Sequence, residues 1–312
     1  MSFKIDEQST LEFEYKQLLG RGRTSEVHLA VCTENPDLKV AIKHNRSDHK
    51  HVDEWRQNVE REISVLRELN TAESADWSLE TTLRNRITSA DNSRDSRSIV
   101  QLLSIFDIDG VPALALEVAP PSITEQTLDH YDLVDAMFQI AQATELAHSR
   151  GMALTDIAPK SKASRIRWDH DLKQIKIIDW HLTRETEDYR RRDLVFLGRI
   201  FFQLLTGYPT WEKAEPPVDY LPDRYNAYAL DITGATIDDW IDVEIAIRDV
   251  IERLMYQDIS DAINSSETLV SAMTTLKELS DLAKRIINGS SQATNELETM
   301  LQEVSNSRTL QL

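Results

Sequence analysis

The stretch Leu19-Gly20-Arg21-Gly22-Arg23-Thr24-Ser25-Glu26-Val27, with Val40-Ala41-Ile42-Lys43 after it, constrains the fold more than any other part of this 312-residue chain. It reads as strand, glycine turn, strand, and then a third strand carrying one lysine among apolar neighbours. Tyr15 to Asn45 is therefore predicted to form three strands. Gly20 and Gly22 lack a Cβ and tolerate positive φ, so a hairpin built on them can bring its backbone close to a polyphosphate. Lys43, on the neighbouring strand, can supply a point charge to the phosphate oxygens. The whole chain has eight glycines, so the placement of these two carries information.

Beyond the third strand the pattern changes to helical spacing. Val52, Trp55, Val59, Ile63, Leu66 and Leu69 recur on one face and predict an amphipathic helix. Thr71 to Ser98 is rich in Ser, Asp, Asn and Arg with little periodicity, and reads as a polar insertion. Ile99 to Asp107 and Val111 to Ala119 predict an apolar hairpin around Asp109-Gly110. Pro120-Pro121 stops its second strand at a place suited to a hinge. Leu133, Met137, Ile140, Ala141, Thr144 and Ala147 mark a second long helix, and Arg165 to Asp169 and Gln174 to Ile178 read as short strands. Leu194 to Leu205 is apolar on nearly every side and is expected to be a buried helix. Ser266 to Ile287 carries an ordinary core stripe, and Ser290 or Ser291 is placed to cap a last helix.

The charge balance narrows the partners. With 53 acidic against 35 basic residues the formal net charge is −18. That argues against general binding to nucleic acid or to anionic membranes, both of which need basic faces. A protein partner or substrate is the expectation instead. Cys32 is the sole cysteine, so no intrachain disulfide can form, and a reducing compartment fits. Met1 to Thr10 is polar without a signal-peptide pattern, and no apolar run reaches membrane-spanning length. A cytoplasmic location is the expectation. The eight histidines show no metal-ligand spacing along the chain, and Arg190-Arg191-Arg192 reads as a solvated basic face.

The glycine hairpin followed by Val40-Ala41-Ile42-Lys43 resembles the opening of a protein kinase domain. The resemblance runs over residues 12–280 and implies an α+β, two-lobed protein kinase-like fold. Residues 12–119 would be a lobe with a small antiparallel sheet and one helix, 71–98 being inserted. Residues 120–280 would be a mostly helical lobe and 281–312 a helical tail. ATP and Mg2+ are the implied cofactors. On this likeness Gly20, Gly22, Val27, Ala41, Leu116, Glu117 and Val118 would surround the nucleotide, with Leu116 as gatekeeper before the hinge. Lys43 would contact the phosphates, held in place by Glu62 of Arg61-Glu62-Ile63-Ser64-Val65-Leu66. His148-Ser149-Arg150-Gly151-Met152-Ala153-Leu154-Thr155-Asp156 is similar to the run into the catalytic loop. It makes Asp156 the group that accepts or orients the proton of an attacking hydroxyl. Ile177-Ile178-Asp179-Trp180-His181 resembles the Asp-Phe-Gly motif and makes Asp179 the Mg2+ ligand. Asp193, opening Asp193-Leu194-Val195-Phe196-Leu197-Gly198, would brace the catalytic loop through backbone N–H groups.

The chain departs from the family pattern at several places. Leu154 and Thr155 replace the usual His-Arg. Ala158 replaces the loop lysine, for which Lys160 can substitute. Ser161, with Ser164 as a rival, stands where an asparagine would bind a second Mg2+, and a serine is a weak neutral ligand. Ser25 replaces the third glycine of the first loop, and His181 the glycine after Trp180. Thirteen residues separate Asp179 from Asp193, so the activation segment is essentially missing. The arginine that would pair with its glutamate is missing too, Ala262 standing near that place. Losing both partners together is consistent, since a lone buried charge is costly. Three readings follow. The first is an active kinase transferring phosphate from ATP-Mg to a Ser or Thr hydroxyl, supported by the joint survival of Lys43, Glu62, Asp156 and Asp179. The second is a pseudokinase, a nucleotide-binding or scaffold module, supported by the departures. The third is a small-molecule phosphotransferase of the aminoglycoside- or choline-kinase kind, whose Ile-Asp-Trp is similar to Ile178-Asp179-Trp180.

Overall fold

The computed structural model describes residues 2–5, 11–46, 52–70, 98–126, 128–154, 165–180, 183–184, 187–206, 247, 249–251, 253–255, 262–288, 290, 292–296 and 299. It is α+β, with an antiparallel sheet in the N-terminal part and helices later, an arrangement compatible with a two-lobed kinase-like fold. Chain contacts divide it into two units, Met1–Ser122 with Arg165–Thr183, and Ile123–Ser164 with Arg184–Leu312. Arg165–Thr183 thus groups with the sheet, although the sequence reading set those residues in the helical lobe.

The first unit is built on β1 (Ser2–Lys4), β2 (Glu12–Arg21), β3 (Ser25–Cys32), β4 (Lys39–Asn45), β5 (Leu102–Ile108) and β6 (Val111–Leu116), ordered β1-β2-β3-β4-β6-β5. All pairings are antiparallel. The β5–β6 turn shows why the local sequence suffices there. Asp109 (φ 53°) and Gly110 (φ 76°) both occupy the left-handed region that a tight two-residue hairpin requires, and Asp-Gly is the pair that adopts it most cheaply. Strand β1 has no forerunner in the sequence reading. Its three residues pair with the outer side of β2.

Alternation along the strands sorts the sheet into two faces. Phe13, Ala30, Cys32, Val40 and Ile42 lie with Ile5, Leu11, Leu103 and Ala115 in one apolar cluster. The other face carries the rows Val27–Lys43–Leu114 and Leu29–Ala41–Leu116, set by the β3–β4–β6 register. Helix α1 (Val52–Asn70) packs against β5 and β6. It buries Trp55, Val59, Glu62, Val65, Leu66 and Leu69. Trp55 Nε1 donates to the Pro112 carbonyl at 2.9 Å, and Arg56 to that of Gly110 at 2.8 Å. Periodicity set Ile63 on this face. In the structure Ile63 is half-buried and Glu62 takes the buried place. The hairpin of Ile166–Asp169 and Gln174–Ile177 joins the same unit through Val100 N–H to Ile177 O (3.1 Å), Ile177 N–H to Ser98 O (2.8 Å) and Trp168 N–H to Pro121 O (3.1 Å). Residues 71–97 of the expected insertion lie outside the described residues.

In the second unit, α2 (His130–Ser149) starts at Asp129, whose side chain accepts from Asp132 N–H at 2.8 Å, an aspartate N-cap. Helix α3 (Glu187–Thr206) exposes no side chain between Leu194 and Leu205, as its all-round apolar sequence predicts. Gly198 on that helix allows a close approach. A Cβ there would lie 2.8 Å from Met255 Cγ and 2.9 Å from Leu254 Cβ. Helix α4 (Ser266–Ile287), the span that carries the apolar stripe in the sequence, is capped by Ser265. It packs along α2, with Lys277 on Asp135 at 2.6 Å and the Lys284 ammonium 5.1 Å from the centre of the Tyr131 ring. Ser290 accepts from Ala293 N–H at 3.3 Å and caps the residues that follow. Among the described residues no helix is long and apolar enough to cross a membrane.

Candidate functional site

Lys43 is the polar centre of the first unit. It sits mid-strand on β4, where the row Val27–Lys43–Leu114 fixes its direction. Its ammonium is 2% exposed, among apolar neighbours that offer it no solvation. Glu62 on α1 meets it with both carboxylate oxygens, at 2.9 and 2.7 Å, and is 1% exposed. Asp179 closes the cluster with Oδ1 at 2.5 Å from the same ammonium. Burial pulls the Lys43 ammonium toward the neutral form. The Asp179 and Glu62 carboxylates outweigh that pull and hold it above the ordinary lysine range. Asp179 lies at the open end of the cluster, its side chain 37% exposed.

The φ of Asp179 is 58°, in the left-handed region that aspartate tolerates better than most residues with a Cβ. Two contacts hold it there. Arg165 Nη1 donates to the Asp179 carbonyl at 3.2 Å, and the buried Trp180 donates its indole N–H to Ile177 O at 2.9 Å.

The remaining residues expected around a nucleotide fall on or beside this face of the sheet. Ala41 pairs with Leu116 and with Leu29, one row from Lys43. Gly20 pairs with Val27, and a Cβ on Gly20 would meet nothing within 4 Å, so the space above it is open. Gly22 donates its N–H to Ser25 O at 2.8 Å and closes the hairpin. Glu117 is buried, its N–H on Gln101 O at 3.0 Å and its carboxylate 2.8 Å from Lys176 Nζ. Val118, just beyond, is exposed. Asp156, Lys160 and Ser161 lie outside the described residues.

In the second unit, Asp193 is fully buried at the start of the apolar part of α3. It accepts from the Leu154 N–H at 2.5 Å and meets His148 Nε2 at 3.1 Å. This ties down the chain two residues before Asp156. The role of Arg165, the Lys176–Glu117 pair and the His148 contact had no signal in the sequence. Each is a polar side chain in an ordinary strand or helix pattern, and only its neighbours distinguish it.

No family model matches the chain. Over 180 residues, 58% of its length, it is 27% identical to a probable serine/threonine-protein kinase of Dictyostelium discoideum. It spans 25% of that curated relative's length. The similarity supports a kinase-like relationship.

Proposed function

We propose that this chain is a divergent protein kinase-like phosphotransferase. It binds ATP with Mg2+ on the Lys43 face of the first unit and transfers the γ-phosphate to a Ser or Thr hydroxyl of a protein. The observation that carries this reading is the convergence of Lys43, Glu62 and Asp179, three charged side chains from a strand, a helix and a distant loop. A buried lysine clamped by a helix glutamate is oriented to bind phosphate oxygens. Mg2+ prefers few carboxylates and shares its shell with substrate phosphates. The half-exposed Asp179 carboxylate fits that demand. When bound, the metal would neutralise charge on the phosphates. Asp156 takes the role of accepting the hydroxyl proton, and Lys160 that of a nearby cation. Glu117 is paired with Lys176, so its carboxylate serves the sheet rather than the nucleotide. The similarity to a probable serine/threonine-protein kinase is in line with a protein substrate.

A second reading, nucleotide binding without transfer, is favoured by two observations. Ser161 offers a neutral hydroxyl where a second metal ligand is expected, and thirteen residues between Asp179 and Asp193 leave little room for a peptide platform. The experiment separates the two. Melting of the wild-type chain is followed with ATP, with and without Mg2+, beside Lys43→Ala and Asp179→Ala. The proposal expects a Mg2+-dependent shift that both variants lose, and phosphotransfer that Asp156→Ala abolishes. A shift without any transfer selects the second reading. No shift, with both variants folded, overturns nucleotide binding altogether.

A further inference from the structure

On the sheet face opposite Lys43, three metal-ligating side chains meet that no reading of the sequence brings together. Glu26 and His28 alternate on β3, and His44 is directly across from Glu26 on β4. One ligand atom from each of Glu26, His28 and His44 falls within 4.8 Å of the others. The His28 and His44 rings are stacked, with centroids 5.1 Å apart and planes 12° from parallel. Glu26 Oε2 lies 3.2 Å from His28 Nε2. Lys43 and His44 are consecutive on β4, so their side chains leave opposite faces of the sheet and this cluster is distinct from the Lys43 site.

The hydrogen bonds around the cluster prepare it to accept a cation. His44 Nδ1 is 2.7 Å from the Asn45 carbonyl, which can only accept, so Nδ1 carries the proton and the neutral ring presents a lone pair at Nε2. Metal-binding imidazoles are commonly held by such a contact on the other nitrogen. Glu26 is held in the same way. Arg21 donates to Oε1 through Nε at 3.0 Å and Nη2 at 2.6 Å, leaving Oε2 toward the histidines. The Arg21 charge opposes a cation, but its side chain is half-exposed and solvent screens it. Tyr15 walls the site, its ring 5.2 Å from His28 and 6.1 Å from His44.

We propose that Glu26, His28 and His44 form a divalent transition-metal site suited to Zn2+. Two imidazoles and one carboxylate are a zinc donor set, with the fourth position left to water. Binding moves the His28 proton from Nε2 to Nδ1 and needs no other reactant. The ion would clasp β3 to β4 beside the glycine hairpin.

The test uses the full chain without an affinity tag, with Zn2+ as the probe. Expected are one Zn2+ retained per chain, a rise in Tm of several degrees, and loss of both in His28→Gln and in His44→Gln. His170→Ala, in an exposed turn, should keep them. The same retention in either glutamine variant as in wild type overturns the site, as does no retention by wild type. Should the variants fail to fold, X-ray absorption of the Zn2+-loaded wild-type chain decides. Two imidazole nitrogens with oxygen support the site, and fewer than two overturn it.

Discussion

The Lys43–Glu62 pair makes a demanding test of what holds the first unit together. Replacing Lys43 by Met keeps the shape of the side chain and strands the Glu62 carboxylate, which is 1% exposed. At the observed 2.7–2.9 Å, and with an effective dielectric constant of about 20, the gross attraction is about 6 kcal/mol. Desolvation of both ions offsets much of that in the intact pair. It does not offset the loss when one partner goes, so Lys43→Met should cost about 3–5 kcal/mol. Lys43→Met/Glu62→Leu removes both charges from an apolar setting and should recover most of the loss, leaving the double variant within about 1 kcal/mol of wild type. Asp179 loses its ammonium in both, but its half-exposed side chain can turn to water. The folded value of Lys43 is raised, so its stabilisation is complete below the unfolded lysine value of about 10.4 and is lost only as pH rises through the folded value. The cycle is therefore run at pH 7, by urea unfolding followed by circular dichroism. A Lys43→Met loss below about 1 kcal/mol, or a double variant as damaged as the sum of the singles, would refute the buried-pair argument.

Three further outcomes follow from other parts of the structure. Asp193→Ala should cost the second unit about 3 kcal/mol in urea unfolding, because the buried Leu154 N–H loses its acceptor and His148 its partner. Gly198→Ala gains helix propensity but forces a Cβ against Leu254 and Met255; a net loss of about 1–2 kcal/mol is expected, and a gain in Tm would contradict the close approach. Glu26 has a lowered folded value, so its stabilisation is present above the unfolded value of about 4.3 and disappears as pH falls through the lower folded one. The stability gap between wild type and Glu26→Gln, read by thermal melts in EDTA, should accordingly be open at pH 7 and close below about pH 4.

Much of the local structure is legible in the sequence because its causes are local. Asp109-Gly110 dictates its own turn, the spacing from Leu133 to Ala147 its helix, and Leu194 to Leu205 its burial. The nomination of Lys43, Glu62 and Asp179 was also within reach, because each sits in a short motif that resembles a known family. Periodicity alone misjudged one position. It assigned the buried face of α1 to Ile63, since an apolar pattern cannot anticipate that a buried lysine across the interface makes a glutamate the better neighbour.

What tertiary structure decided is which distant residues touch. Lys43 and Asp179 are 136 positions apart, and His148 and Asp193 are 45. Glu26, His28 and His44 have no recognisable spacing and meet because β3 and β4 pair in one register. A slip of one residue in that register would turn His44 to the Lys43 face and Lys43 to the other, dissolving both clusters at once. The sequence by itself determined most of the elements and singled out Lys43, Glu62 and Asp179. The pairing of strands, whose registers depend on the packing of the whole apolar cluster, determined where those side chains point and which charges they must answer.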